Sequence, residues 1–204
     1  MSLDLNTQSR IVILGRTRCG KTYLSTQIQK MFPRVVIIDT VQDYRPDGRS
    51  YFFSDFETFG NWLVKAQFAS EFRAVYQFSI HDVNKFEIAN EIFKILFSVG
   101  NVLLVVDEVQ YYKASHYLSE IILVGARHGI ATITSTQRPA NISKDLISQS
   151  SDIFIGKLFE TNDSKYLGDF LSNEDLLKIS SLEPRKFLHF RPGESTEIIS
   201  NDLT

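Results

Sequence analysis

Residues 15–22 read GRTRCGKT, and within them Gly15, Gly20, Lys21 and Thr22 fill the pattern G-x-x-x-x-G-K-[ST]. Glycines let a loop take backbone angles closed to other residues, so several N–H groups can converge on one anion. A lysine there supplies charge for the outer phosphates of a nucleotide, and a threonine supplies a hydroxyl for Mg²⁺. The context agrees. IVIL precedes the loop, and a stretch carrying Leu24, Ile28 and Met31 on one side follows it. A helix starting there adds the positive end of its dipole. All of Gly15, Arg16, Thr17, Arg18, Cys19, Gly20, Lys21 and Thr22 are therefore candidates for holding phosphate. Arg16 and Arg18 either touch phosphate or DNA or stand solvated. Cys19 reads as a small filler, since no partner base accompanies it.

Residues 101–110 read NVLLVVDEVQ: an apolar run that ends in Asp107 and Glu108. Acids at the carboxyl end of a buried parallel strand sit where such sheets bind ligands. Asp107 is suited to orient Mg²⁺, through water or Thr22, and Glu108 to polarise an attacking water. Residues 125–139 read GARHGIATITSTQRP, with Gln137 at the tip of a strand. An amide beside the phosphate-loop strand can sense the γ-phosphate or hold the water. Taken singly, each run also reads as a strand that ends in polar residues.

These groups need a frame. Strand-length apolar runs at residues 10–14, 35–39, 73–78, 102–106, 130–135 and 152–158 alternate with helical spacing near 20–32, 55–69, 84–97, 115–127 and 143–150. That alternation predicts a mainly parallel α/β sheet covered on both faces. Beyond residue 160 the pattern changes. Ser172-Asn173-Glu174-Asp175 predicts a capped short helix. Residues 186–190 and 196–199, parted by Arg191-Pro192-Gly193, predict a hairpin or edge strands. Residues 1–204 read as one domain, with 160–204 a C-terminal helical and hairpin extension.

Composition narrows the classes. The net charge is −2 and 43% of residues are hydrophobic, as in ordinary globular chains. A protein coated in positive charge is disfavoured, but a local basic patch or pore lining is not. The single Cys excludes an intrachain disulfide. No apolar run has membrane-spanning length, and MSLDLNTQSR lacks the apolar segment of a leader. An intracellular, soluble protein without direct membrane insertion is expected. The four His are scattered without metal-ligand spacing.

Four stretches together resemble the FtsK–HerA superfamily of P-loop ATPases: GRTRCGKT, VVIIDTVQDY, VLLVVDEVQ and GARHGIATITSTQRP. They span residues 10–158. A bare core of this size is similar to the genome-packaging ATPases of membrane-containing double-stranded DNA viruses, among them the archaeal turreted icosahedral viruses. The resemblance implies a P-loop three-layer sandwich, ATP and Mg²⁺ as cofactors, and a homo-oligomeric ring, usually a hexamer. It implies double-stranded DNA and a capsid or portal vertex as partners, in host cytoplasm or with the virion. Lys21 and Thr22 would bind phosphate and Mg²⁺, Asp107 support the metal, Glu108 activate water and Gln137 sense the γ-phosphate. Arg127 is the first candidate for an arginine finger reaching a neighbour's site, with Arg138 and Arg45 behind it. A cellular translocase or helicase is the alternative within the superfamily, and a P-loop kinase or nucleotide switch the alternative outside it. No stretch locates the DNA grip; Gln110-Tyr111-Tyr112-Lys113 reads as a coupling loop or as plain core and surface.

Overall fold

A computed structural model of the chain describes residues 5–158 and 161–203. The expected boundary at residue 160, and residues 1–4 of the stretch read as leader-free, lie outside them. The elements in chain order are β1 (Arg10–Leu14), α1 (Lys21–Gln29), β2 (Arg34–Asp39), β3 (Tyr51–Phe53), α2 (Phe56–Ala66), β4 (Phe72–Gln77), α3 (Lys85–Val99) and β5 (Val102–Val106). There follow α4 (His116–Val124), β6 (Ile130–Thr136), α5 (Lys144–Ser148), β7 (Asp152–Ile155), α6 (Thr161–Leu167), α7 (Asn173–Ser181), β8 (Lys186–Phe190) and β9 (Glu197–Ser200).

The strands join one sheet in the order β3-β4-β2-β5-β6-β1-β7-β8-β9. The pairs from β3 to β7 are parallel, and β8 and β9 extend the same sheet antiparallel. The expected mainly parallel α/β sheet is thus present. Because side chains alternate along a strand, each central strand feeds two cores. Val12, Leu14, Leu104 and Val106 face one cluster with the buried sides of α2, α3 and α4. Ile11, Ile13, Leu103 and Val105 face the other with Leu24 and Ile28 of α1. Burial on both faces explains why these strands read as unbroken apolar runs.

Caps set where helices begin. The Asp55 carboxylate accepts from Thr58 N at 2.7 Å, and Ser115 Oγ from Leu118 N at 3.1 Å. Ser172 Oγ accepts from Asp175 N at 3.1 Å, as the capping pattern predicts. Each such cap satisfies an amide the helix leaves unpaired. Two expectations need correction, and one strand was not foreseen. The helix expected over 115–127 ends at Val124 and passes into one turn of 3-10 helix, Gly125–His128. The strand expected over 152–158 ends at Ile155; Gly156 N still donates to Leu14 O at 2.7 Å and the residue packs against the phosphate loop, where an added Cβ would lie 3.0 Å from Cys19 Sγ. The three-residue β3 is too short for a period-2 signal and had no counterpart in the sequence reading. Among the described residues no helix is long and apolar enough to cross a membrane.

Candidate active site

Strands β5, β6, β1 and β7 run parallel, so their carboxyl ends share one edge. That edge carries the loop at 15–20, the Asp107–Glu108 pair and Gln137. Insertion of β6 between β1 and β5 puts the Gln137 strand beside the loop strand, as expected. Together these groups border a cleft of about 640 Å³, within the size range of small-ligand sites.

The loop's shape comes from its glycines. Gly15 has φ 148° and Gly20 φ 103°, values that strain any residue with a Cβ. Gly15 N donates to Thr136 O at 3.2 Å, which anchors the loop to β6. Gly20 caps α1 without a side chain, so the first-turn amides of α1 are left without a side-chain partner at the cleft's border. Lys21 is buried, and its Nζ donates to Gly15 O at 2.9 Å and Arg16 O at 3.3 Å. Thr17, Arg18, Gly20, Lys21 and Thr22 border the cleft. Gly15, Arg16 and Cys19 do not; the Cys19 side chain is buried under the loop, and burial pushes its thiol pKa up. That suits a filler and disfavours a thiolate.

Asp107 and Glu108 are both buried. Ser135 Oγ donates to Asp107 Oδ1, while Oδ2 has no hydrogen-bond partner among the described residues. Burial pushes the Asp107 carboxyl up to about 6, although the Ser135 bond pulls the other way. Glu108 follows in the left-handed region, φ 52° and ψ 56°, a conformation a non-glycine residue holds only when its surroundings impose it. There its carboxylate is gripped by two amides: Gln110 Nε2 donates to Oε2 at 2.7 Å and Gln137 Nε2 to Oε1 at 2.5 Å. The other end of the Gln137 amide accepts from Thr17 Oγ1. Gln137 therefore bridges the phosphate loop and Glu108.

Four further residues shape the site: Asp39 and Asp43 from the VVIIDTVQDY stretch, and Arg185 and Asn201, which no sequence motif announces. Asp39, fully buried at the end of β2, accepts from Asp43 N at 3.0 Å, Tyr44 N at 3.1 Å and Gln77 Nε2 at 2.7 Å. Those bonds fold the following segment over the start of α1, where Thr22 Oγ1 donates to Asp43 Oδ2 at 3.4 Å. Arg185 and Asn201, from the C-terminal hairpin, border the cleft on its other side. The arginines proposed as fingers lie elsewhere. Arg127 is exposed in the turn that enters the amino end of β6, across the sheet from the cleft. Arg45 is exposed in the loop after β2, and Arg138 is exposed next to Gln137. Of the paired tyrosines, Tyr112 is core, bonded to Thr40 Oγ1 at 2.8 Å, and Tyr111 is exposed.

The residues fit a Mg²⁺–nucleotide. The orphaned Asp107 Oδ2 is a buried anion that a cation would satisfy. Among the described residues no group of three or more His, Cys, Asp and Glu is set to hold a metal. Mg²⁺ in phosphate sites takes only one or two protein ligands, with phosphate and water for the rest, and Thr22 and Asp107 suffice for that.

No family model matches the chain. A 68-residue stretch, 32% of the chain, is 37% identical to a probable helicase of Methanocaldococcus jannaschii, of whose length it spans 13%. The genome-packaging NTPase of Sulfolobus turreted icosahedral virus 2, solved with AMPPCP, superimposes with a TM-score of 0.72 at 20% identity, over 95% of this chain and 97% of that one. The bacterial conjugative coupling protein TrwB follows at 0.67 and 10% identity, over 100% and 87%. At such identities the likeness shows the fold alone: this chain has an α/β P-loop sandwich.

Proposed function

We propose that the chain is an ATP-hydrolysing motor domain that moves double-stranded DNA, and that its task is packaging a viral genome into a capsid. One observation carries the hydrolytic part: Gln137 bonded at once to Thr17 of the phosphate loop and to the Glu108 carboxylate. In this reading Lys21 and the amides of residues 15–22 bind the triphosphate. Thr22 and Asp107 hold Mg²⁺, which when bound neutralises charge on the β- and γ-phosphates. Glu108, held and aimed by Gln110 and Gln137, accepts the proton of the attacking water. Gln137 exchanges its Thr17 bond as the loop's occupant changes. The change passes into Pro139–Asn141, whose Ala140 N donates to Asp163 of α6 at 3.0 Å.

The DNA and packaging parts rest on likeness, because the neighbouring folds include a genome-packaging NTPase. We read the chain as one ATPase domain with its C-terminal hairpin, acting as a homo-oligomeric ring, a hexamer, at a capsid or portal vertex in host cytoplasm or in the virion. Exposed Arg127 can complete a catalytic site only from a neighbour, which is the role assigned to it. The short match to a probable helicase favours, as a second reading, a cellular translocase or helicase. The test is ATP hydrolysis by the purified chain with and without long double-stranded DNA over a range of salt. Stimulation by DNA that fades as salt rises supports a motor gripping phosphates. Hydrolysis indifferent to DNA at every salt, with the capsid vertex present as well as absent, would remove the translocase assignment.

A further inference from the structure

The cleft extends past the phosphate loop on the side away from Glu108. Acids and sensor amide sit on β5 and β6, on one side of β1, while β7, β8 and β9 lie on the other. The segment after β9 closes that far side. Asn201 N donates to Arg185 O at 2.9 Å, which ties the tail to the start of β8. A Cβ on Gly20 would lie 2.5 Å from Asn201 Nδ2 and 3.8 Å from Arg185 Cα, so the tail rests directly on the glycine that precedes Lys21. Asn201 is 3% exposed and borders the cleft. Its carboxamide makes no hydrogen bond among the described residues. Its amide atoms are not sealed from solvent, so on the cleft wall the donor and the acceptor both stay open to a ligand. Tyr23, half exposed in the first turn of α1, borders the same end.

We propose that this tail forms the nucleoside end of the site, with the Asn201 carboxamide reading the base edge and the Tyr23 ring offering a stacking face. The inference rests on the nucleotide reading above and supplies its missing specificity. With phosphates on the loop and the γ end toward Glu108, the base falls on the β8–β9 side. A carboxamide offers one donor and one acceptor side by side. Adenine answers with its N6 amino group and N7, whereas the same edge of guanine presents two acceptors, O6 and N7. ATP is therefore favoured over GTP, and the preference resides in Asn201.

Calorimetric titration of the full chain in Mg²⁺ with ATP, GTP and inorganic tripolyphosphate tests this in wild type, Asn201→Leu and Lys21→Ala. Wild type binds ATP about tenfold more tightly than GTP, and more tightly than tripolyphosphate. Asn201→Leu brings the ATP to GTP ratio close to one and leaves tripolyphosphate affinity unchanged; Lys21→Ala weakens all three. If Asn201→Leu also loses tripolyphosphate, the isosteric Asn201→Asp decides, and it too must lose the ATP preference. Retention of the wild-type ratio in whichever variant still binds tripolyphosphate overturns the inference, as does wild type binding tripolyphosphate as tightly as ATP. Wild type that binds neither ATP nor tripolyphosphate would overturn the nucleotide reading itself, and the subsite with it.

Discussion

Asp107→Asn should make the protein more stable while removing its use of metal. The carboxyl is 6% exposed and its pKa stands at about 6 against an ordinary 3.8. At about 1.4 kcal/mol per tenfold change in proton affinity, the ionised group costs the fold about 3 kcal/mol at neutral pH. Asparagine keeps an oxygen to accept from Ser135 and puts an amide where the orphaned Oδ2 stands. An unpaired amide returns about 1 kcal/mol of that cost. A net gain of about 2 kcal/mol raises the melting temperature of a chain this size by roughly 4–8 °C. The sign follows from linkage. Below the unfolded pKa, near 4, folded and unfolded wild type are both protonated here and the penalty vanishes. Between that pH and about 6 the folded state holds the proton more tightly, so wild-type stability falls as pH rises. Above 6 the penalty is complete. Thermal melts without metal or nucleotide at pH 4, 6 and 8 should show the variant's advantage opening across that window and level beyond it. A gap independent of pH, or a variant less stable than wild type at pH 8, would refute the assignment of buried charge to Asp107. Mg²⁺ with ATP should stabilise wild type and leave the variant nearly unmoved.

Gln137→Ala removes one charge-assisted hydrogen bond on Glu108 together with its link to Thr17; at about 2 kcal/mol for such a bond, the turnover rate should fall roughly thirtyfold while ATP affinity, read by calorimetry, stays put. Asp152→Ala strips the partner shared by His189 Nε2, at 2.9 Å, and Arg191 Nε, at 2.7 Å. Burial alone would raise the Asp152 pKa, but bonds from His189, Arg191 and Ser151 outweigh it and hold it low. Breaking that buried cluster should cost about 3 kcal/mol, seen as an earlier urea transition, and should loosen β8, which stacks His189 on Phe154.

Much of the site was legible because its chemistry is local. The glycines of residues 15–20, the acids ending VLLVV and the amide ending ITST each follow a strand whose apolar run is unmistakable. Their convergence follows from parallel pairing, which puts strand ends on one edge. What escaped is non-local or irregular. Asn201 meets Gly20 across nearly the whole chain, and no periodicity signals such a contact. Asp43 reaches Thr22 only because Asp39 folds the intervening segment, and VVIIDTVQDY shows the acids without their geometry. β3 is three residues long. The loop as a whole read as a block of phosphate binders; packing turns Cys19 inward, in keeping with its reading as a filler, and leaves Arg18 at the cleft.

The most direct test of the central claim measures ATP binding and ATP turnover side by side in wild type and Glu108→Gln. The substitution keeps the shape and removes the proton acceptor, so binding should match wild type and turnover should fall by about a hundredfold or more. Turnover at the wild-type rate in Glu108→Gln would contradict the account.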